Sequence, residues 1–147
     1  MTQLAIGIDV GGTSIKGAVV DLARGAAGSA IVRVTTPDPP EVGACVGVIA
    51  EVAGRLRRGP GARDLPIGIA LSGDVRDGRH TTGVNLHDSW VDAPVRDQLE
   101  AAIGWPVRIL NDADAAGIGE ATWGAAAGIA GVVVVLTFAL GGMLRSR

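Results

Sequence analysis

Near its start the chain carries two apolar runs of strand length that meet at a pair of glycines. Leu4 to Val10 is the first run and Gly11-Gly12 breaks it; in Ser14 to Leu22, Ile15, Gly17, Val19 and Asp21 alternate with Lys16, Ala18 and Val20. Alternation on the far side of a glycine turn predicts a β-hairpin, because both glycines can take positive φ and let the chain reverse in a short space. A hairpin with one apolar face needs another layer to cover it. The 147 residues suffice for one core, as a single domain or as one lobe of something larger.

The periodicity predicts how that layer is built. Ile31 to Thr35 reads as a third strand, stopped by Thr36-Pro37-Asp38-Pro39-Pro40. From Glu41 to Leu56, the residues Val42, Cys45, Val46, Ile49, Val52, Ala53 and Leu56 recur at helical spacing and form one apolar face. After a polar turn, Pro66 to Leu71 reads as a buried strand ended by a Ser72-Gly73-Asp74 loop. A second helix is expected with Asp92 as N-cap, Pro94 in its first turn, Val95, Leu99, Ala102 and Ile103 on one face, and Gly104 past its end. Val107 to Leu110 is a further short strand, Asn111-Asp112 is a polar pair at its C-terminal end, and Ala113 to Trp123 continues as helix. Strands followed by alternating helices and strands predict an α/β fold, a mixed sheet opening with a β-hairpin and carrying flanking helices. No internal repeat is evident.

Composition narrows the function classes. Fifteen Asp and Glu against 13 Lys and Arg leave a net charge of −2, which offers no basic surface for nucleic acid. Cys45 is the only cysteine, so no disulfide forms within the chain, and Lys16 is the one lysine among the basic residues. The N-terminus has no charged segment ahead of an apolar run, and a cytoplasmic protein is expected. The uncharged stretch Ala121 to Leu144 is long enough to span a bilayer. Gly124, Gly128, Gly131, Gly141 and Gly142 interrupt it, however, and its strongest part, Val132 to Leu136, is the β-branched run of a buried strand, so no membrane partner is expected.

Two polar constellations carry chemistry. In Ile8-Asp9-Val10-Gly11-Gly12-Thr13-Ser14-Ile15-Lys16 a carboxylate precedes a Gly-Gly-Thr turn. It lacks both the P-loop lysine and the dinucleotide glycine spacing. A glycine turn can still offer successive N–H groups to phosphate oxygens, with the Thr13 hydroxyl and the Lys16 charge beside it, and Asp9 would tolerate phosphate through a water-bridged Mg²⁺. The alternative is a tight turn next to a surface aspartate. In Leu110-Asn111-Asp112-Ala113-Asp114, a strand-to-helix junction, Asp112 at a helix N-terminus suits a base that accepts a hydroxyl proton, and Asn111 suits a polyol hydroxyl. Here the alternative is a helix cap. Cys45 is expected in the core and His80 and His87 in loops. Arg55, Arg57, Arg58 and Arg63 are either helix-end charges or a lure for polyphosphate. Trp90 either packs beside a sugar or pins its loop.

Taken together, Ile-Gly-Ile-Asp-Val-Gly-Gly-Thr-Ser-Ile-Lys-Gly at 6–17 and Leu-Asn-Asp-Ala-Asp-Ala-Ala-Gly at 110–117 resemble the ROK sugar kinases, of the ribonuclease-H-like, actin-type ATPase fold. Thr36-Pro37-Asp38-Pro39 and Asn85-Leu86-His87-Asp88-Ser89-Trp90 are similar to the polyphosphate glucokinase branch. The resemblance implies phosphoryl transfer from polyphosphate or ATP, with Mg²⁺, to the 6-hydroxyl of glucose or a similar hexose, and a homodimer for the full-length family. By the same resemblance Asp9, Gly11, Gly12, Thr13 and Lys16 form the first phosphate loop, with Asp9 holding Mg²⁺ through water. Asp112 is the base, and Gly73, Asn85, Asn111 and Asp112 hold the sugar. A non-catalytic sugar-binding lobe, or the remnant of a ROK-type sugar-responsive regulator, is the alternative.

The chain departs from the family pattern in three places. Leu71-Ser72-Gly73 stands where the family has an apolar residue, Pro and Gly; His87 replaces another polar residue; and Phe138-Ala139-Leu140-Gly141-Gly142-Met143 stands where a second phosphate loop rich in Gly and Thr belongs. Residues 1–123 are accordingly expected to form the N-terminal lobe, and 124–147 the start of a truncated second lobe whose tail is atypical from 138 onward. Such a chain is expected to have little activity alone.

Overall fold

The computed structural model describes residues 3–82 and 87–129. Its centre is a six-stranded mixed sheet. The expected hairpin is present: β1 (Leu4–Val10) and β2 (Ser14–Asp21) run antiparallel, in register from Leu4 opposite Asp21 to Val10 opposite Ile15. Beyond β2, the two-residue β3 (Ala26–Ala27) pairs with its end and β4 (Val32–Thr35) with its beginning, so the two share one edge. On the other side of β1, β5 (Ile67–Leu71) and β8 (Val107–Asn111) are parallel to it.

Alternation sorts the sheet residues into two faces. Ile6, Ile8, Ile15, Ile67, Ile69, Leu71 and Val107 point inward and are buried. Against them lies α1 (Val42–Arg57), whose buried face is Cys45, Val46, Ile49, Val52, Ala53 and Leu56, as the spacing predicts. Burying each of the larger aliphatic side chains contributes about 1.5–3 kcal/mol. The helix reaches the sheet this closely because Gly17 has no side chain: a Cβ there would stand 2.8 Å from Val52 and 2.9 Å from Leu56. The opposite face is lined by small residues, among them Gly7, Ala18, Gly68 and Ala70. It borders a cavity of about 430 Å³ beneath α3 (Asp112–Trp123).

Several expectations are corrected. The hairpin turn does not use left-handed glycine: among the described residues the glycines with positive φ are Gly25, Gly61, Gly73, Gly78, Gly104 and Gly128, and neither Gly11 nor Gly12 is one of them. Glycine is required at Gly11 for space instead, since a Cβ would lie 2.9 Å from the Ser14 carbonyl oxygen. The loop expected after Ser72 is a second hairpin, β6 (Asp74–Arg76) and β7 (Arg79–Thr82), turned by Asp77 at φ 50° and Gly78 at φ 80°. Asp92 is not the cap of the second helix. It has φ 55°, and α2 (Val95–Ile103) begins after Pro94 without a side-chain cap. Its Arg96 N–H is satisfied from a distance, by the Gly78 carbonyl at 3.0 Å. At the other end Gly104 takes the expected left-handed conformation, at φ 68°.

Candidate functional site

The strand registers bring the two polar constellations to one edge of the sheet. Lys16, Asp9, Ala70 and Leu110 form one row across β2, β1, β5 and β8, and Ile15, Val10, Leu71 and Asn111 form the next. One step further, the Gly11 turn, the Ser72-Gly73 turn and the start of α3 therefore leave the sheet side by side. The first and last of these are two strand spacings apart, about 10 Å. This is the edge at the carboxyl ends of the parallel strands, where open α/β sheets bind ligands.

On β1, Asp9 meets Lys16 across the hairpin, Oδ2 to Nζ at 3.5 Å, with both side chains substantially exposed. An ion pair so open to water contributes little to stability, so the pair is available for other partners. The turn beyond it is held from outside. Buried Thr36, just past β4, donates its hydroxyl to the Gly11 carbonyl at 2.7 Å and its N–H to the Thr13 carbonyl at 3.1 Å. Gly12 faces open space, where a Cβ would meet nothing within 4 Å. The result is a fixed backbone turn with an unobstructed approach.

At the other end of the edge, Asn111 is the N-cap of α3. Its Oδ1 accepts from the N–H of Ala113 at 2.9 Å and of Asp114 at 3.1 Å, and its Nδ2 donates to the Gly73 carbonyl at 2.7 Å. Gly73 sits at φ 91°, a conformation open to glycine and strained for other residues. Asp112 follows in the first turn, half-buried, with Oδ1 accepting the same Ala113 N–H at 2.8 Å. The helix-cap reading therefore holds for Asn111, and Asp112 follows it where β8 ends. Of the residues expected at the site, Asp9, Gly11, Gly12, Thr13, Lys16, Gly73, Asn111 and Asp112 share this edge; Asn85 lies outside the described residues, as does the 138–147 tail.

The remaining candidates separate clearly. Three of the arginines have partners away from the turn: Arg57 stacks on Trp105 at 4.8 Å and donates to the Arg63 carbonyl, while Arg55 pairs with Glu51. Arg57 and Arg63 precede the start of β5, a strand length of about 15 Å from the edge where it ends. Trp90 is buried and pins its loop, Nε1 donating to the Pro40 carbonyl at 2.8 Å. Cys45 lies in the core as expected, and burial pushes its thiol up. His87 caps the short 3-10 turn Asp88–Trp90, accepting the Ser89 N–H at 3.2 Å. His80, expected in a loop, is instead on β7 and fully buried. Thr36 and His80 were missed as supports of the site. Their partners lie 25 and eight residues away, and no local pattern marks such bonds.

The model of the ROK family matches residues 5–141 of the chain. The chain belongs to the ROK family. Polyphosphate glucokinase of Mycobacterium tuberculosis is 42% identical over 136 residues, which are 92% of this chain and 49% of the relative. Glucokinase of Streptomyces coelicolor is 35% identical over 140 residues, 95% of this chain and 42% of that protein. Among solved structures, the inorganic polyphosphate/ATP-glucomannokinase from Arthrobacter sp. strain KM superposes with a TM-score of 0.82 at 38% identity, covering 86% of this chain and 51% of that one. The ROK family glucokinase from Streptomyces griseus, in complex with glucose and AMPPNP, gives a TM-score of 0.72 at 34% identity, covering 85% and 38%. This ROK chain thus has the mixed sheet of the actin-like ATPase fold and spans about half the length of the curated relatives it matches. The names of those relatives set sugar phosphotransfer at the level of the family. Among the described residues, no helix is long and apolar enough to cross a membrane.

Proposed function

We propose that this ROK segment supplies the acceptor side and the first phosphate turn of a kinase that moves a phosphoryl group from polyphosphate or ATP to the 6-hydroxyl of glucose or a similar hexose. The observation that carries the reading is the parallel register of β1, β5 and β8, by which Asp112 and the Gly11-Gly12-Thr13 turn leave the same sheet edge, with Asn111 tied to Gly73 at 2.7 Å between them. Gly73, Asn111 and Asn85 hold the sugar hydroxyls. Asp112 accepts the 6-hydroxyl proton as that oxygen forms its bond to phosphorus and the bond to the donor's bridging oxygen breaks. The Gly12 and Thr13 amides, the Thr13 hydroxyl and Lys16 hold donor phosphate oxygens, the Gly11 amide being donated to the Ser14 carbonyl. Phosphoryl transfer asks chiefly for positioning and charge neutralisation, which these groups provide.

Among the described residues no three His, Cys, Asp or Glu side chains gather as a metal-ligand set. A Mg²⁺ at this edge would rest on Asp9 through water together with phosphate oxygens, a mode that fits a cation reluctant to lose its hydration. Bound there, it would neutralise phosphate charge. In the lobe assignment that goes with this reading, residues 1–123 form the N-terminal lobe and 124 onward begin a second.

Transfer to glucose, measured with polyphosphate and with ATP in the protein carrying this segment, tests the reading. Asp112→Asn is expected to lower kcat by about 10²–10⁴-fold with a smaller change in KM for glucose. A rate within a few-fold of wild type would assign Asp112 to sugar binding without catalysis.

A further inference from the structure

His80 is an unusual residue to find where it is. It lies on β7 with no exposed surface, its ring meeting Trp90 edge-on at 5.5 Å between centroids. An apolar side chain would fill that space without the cost of taking an imidazole out of water. What the imidazole adds is one hydrogen bond: Nε2 stands 2.7 Å from the Ser72 carbonyl oxygen. A carbonyl only accepts, so the hydrogen is on Nε2. Nδ1 is buried without a hydrogen-bond partner among the described residues, so among them this bond is the ring's one polar contact.

Ser72 is the residue that leads β5 into the Gly73 turn. Its carbonyl is held by His80, the next carbonyl, that of Gly73, is held by Asn111, and Asn111 in turn caps the helix that begins with Asp112. His80 is itself fixed from behind. Its N–H donates to the Ala93 carbonyl at 3.1 Å, and its ring partner Trp90 is tied to Pro40. We infer that His80 is a positioning residue for the sugar edge: by clamping the Ser72 carbonyl from inside the core it sets the Ser72-Gly73 turn on which Asn111 and Asp112 are hung.

The inference rests on the reading of this edge as a hexose site, and the test separates the two. Nitrogen-15 spectra of the 147-residue chain are recorded for wild type, His80→Gln and His80→Leu, each alone and titrated with glucose. Gln offers an amide donor near the Nε2 position and Leu offers none. His80→Leu is expected to shift the Gly73 amide and the Asn111 side-chain amide in the ligand-free chain and to weaken glucose binding about two- to tenfold, the equivalent of one hydrogen bond. His80→Gln is expected to restore both readouts. A folded Leu variant with Gly73 and Asn111 unmoved would overturn the inference, as would a Gln variant no better than Leu. Gly73 and Asn111 signals that move in a chain indifferent to glucose would uphold the positioning role while the hexose reading fails. If His80→Leu does not fold, long-range proton–nitrogen correlation on wild type decides: hydrogen on Nε2, coupled to the Ser72 carbonyl, supports the clamp, and hydrogen on Nδ1 overturns it.

Discussion

Asn111 performs two tasks with one amide: its Oδ1 caps α3 while its Nδ2 holds the Gly73 carbonyl at 2.7 Å. Substitution separates them. Asn111→Asp keeps an acceptor for the cap and loses the donor, whereas Asn111→Ala loses both. Losing the cap is expected to cost about 0.5–2 kcal/mol. Hydrogen exchange at Asp114, whose N–H is held by Asn111 alone while that of Ala113 is also accepted by Asp112, should therefore accelerate in Asn111→Ala and stay slow in Asn111→Asp, while the Gly73 amide shifts in both variants. Equal protection in the two variants would mean that the side chain does not cap the helix.

Thr36, just past β4, holds the Gly11-Gly12-Thr13 turn. Thr36→Val removes the hydroxyl that reaches the Gly11 carbonyl and leaves that carbonyl without its partner, at an expected cost of about 1–3 kcal/mol. The urea midpoint should fall, and binding of short-chain polyphosphate should weaken along with it. Unchanged polyphosphate affinity in a destabilised variant would remove the Gly11-Gly12-Thr13 turn from the donor site.

Burial raises the Cys45 thiol above its ordinary value, so the folded state holds its proton more tightly than the unfolded chain does. The corresponding stability is fully present below the unfolded value of about 8.5 and is lost as pH rises above it toward the folded value. Urea midpoints of wild type and Cys45→Ala between neutral and alkaline pH check this. The advantage of wild type is expected to shrink above pH ~8.5, and folded wild type should react slowly with a thiol reagent at neutral pH. A pH-independent difference together with fast labelling would place the thiol at the surface.

The elements whose causes are local were legible in the sequence. The alternation around Gly11-Gly12 marked β1 and β2, the spacing from Val42 to Leu56 marked α1, and Gly104 marked the end of α2. Asp77-Gly78 was equally local and was overlooked: Asp-Gly between two short runs is a strong hairpin signal, and both residues adopt the left-handed conformation such a turn requires. Other features have causes far along the chain. Asp92 looked like a cap by its type and place, yet Gly78 carbonyl oxygen serves the start of α2. Thr36 read as part of a strand stop, and His80 as a loop residue, because their hydrogen-bond partners are set by sheet registers that no window of sequence contains. For the site, the residue types of Asp9, Asn111 and Asp112 were readable, but their meeting on one edge follows from the parallel pairing of β1, β5 and β8.

If a hexose is held where β5 and β8 end, a glucose titration of the nitrogen-15-labelled chain shows it. Saturable shifts are expected at Gly73, the Asn85 and Asn111 side-chain amides, Asp112 and Ala113, with Trp105 and Val107 at the opposite end of the sheet unmoved. Saturable shifts clustered at that opposite end, or none at the Gly73–Asp112 edge, would contradict it.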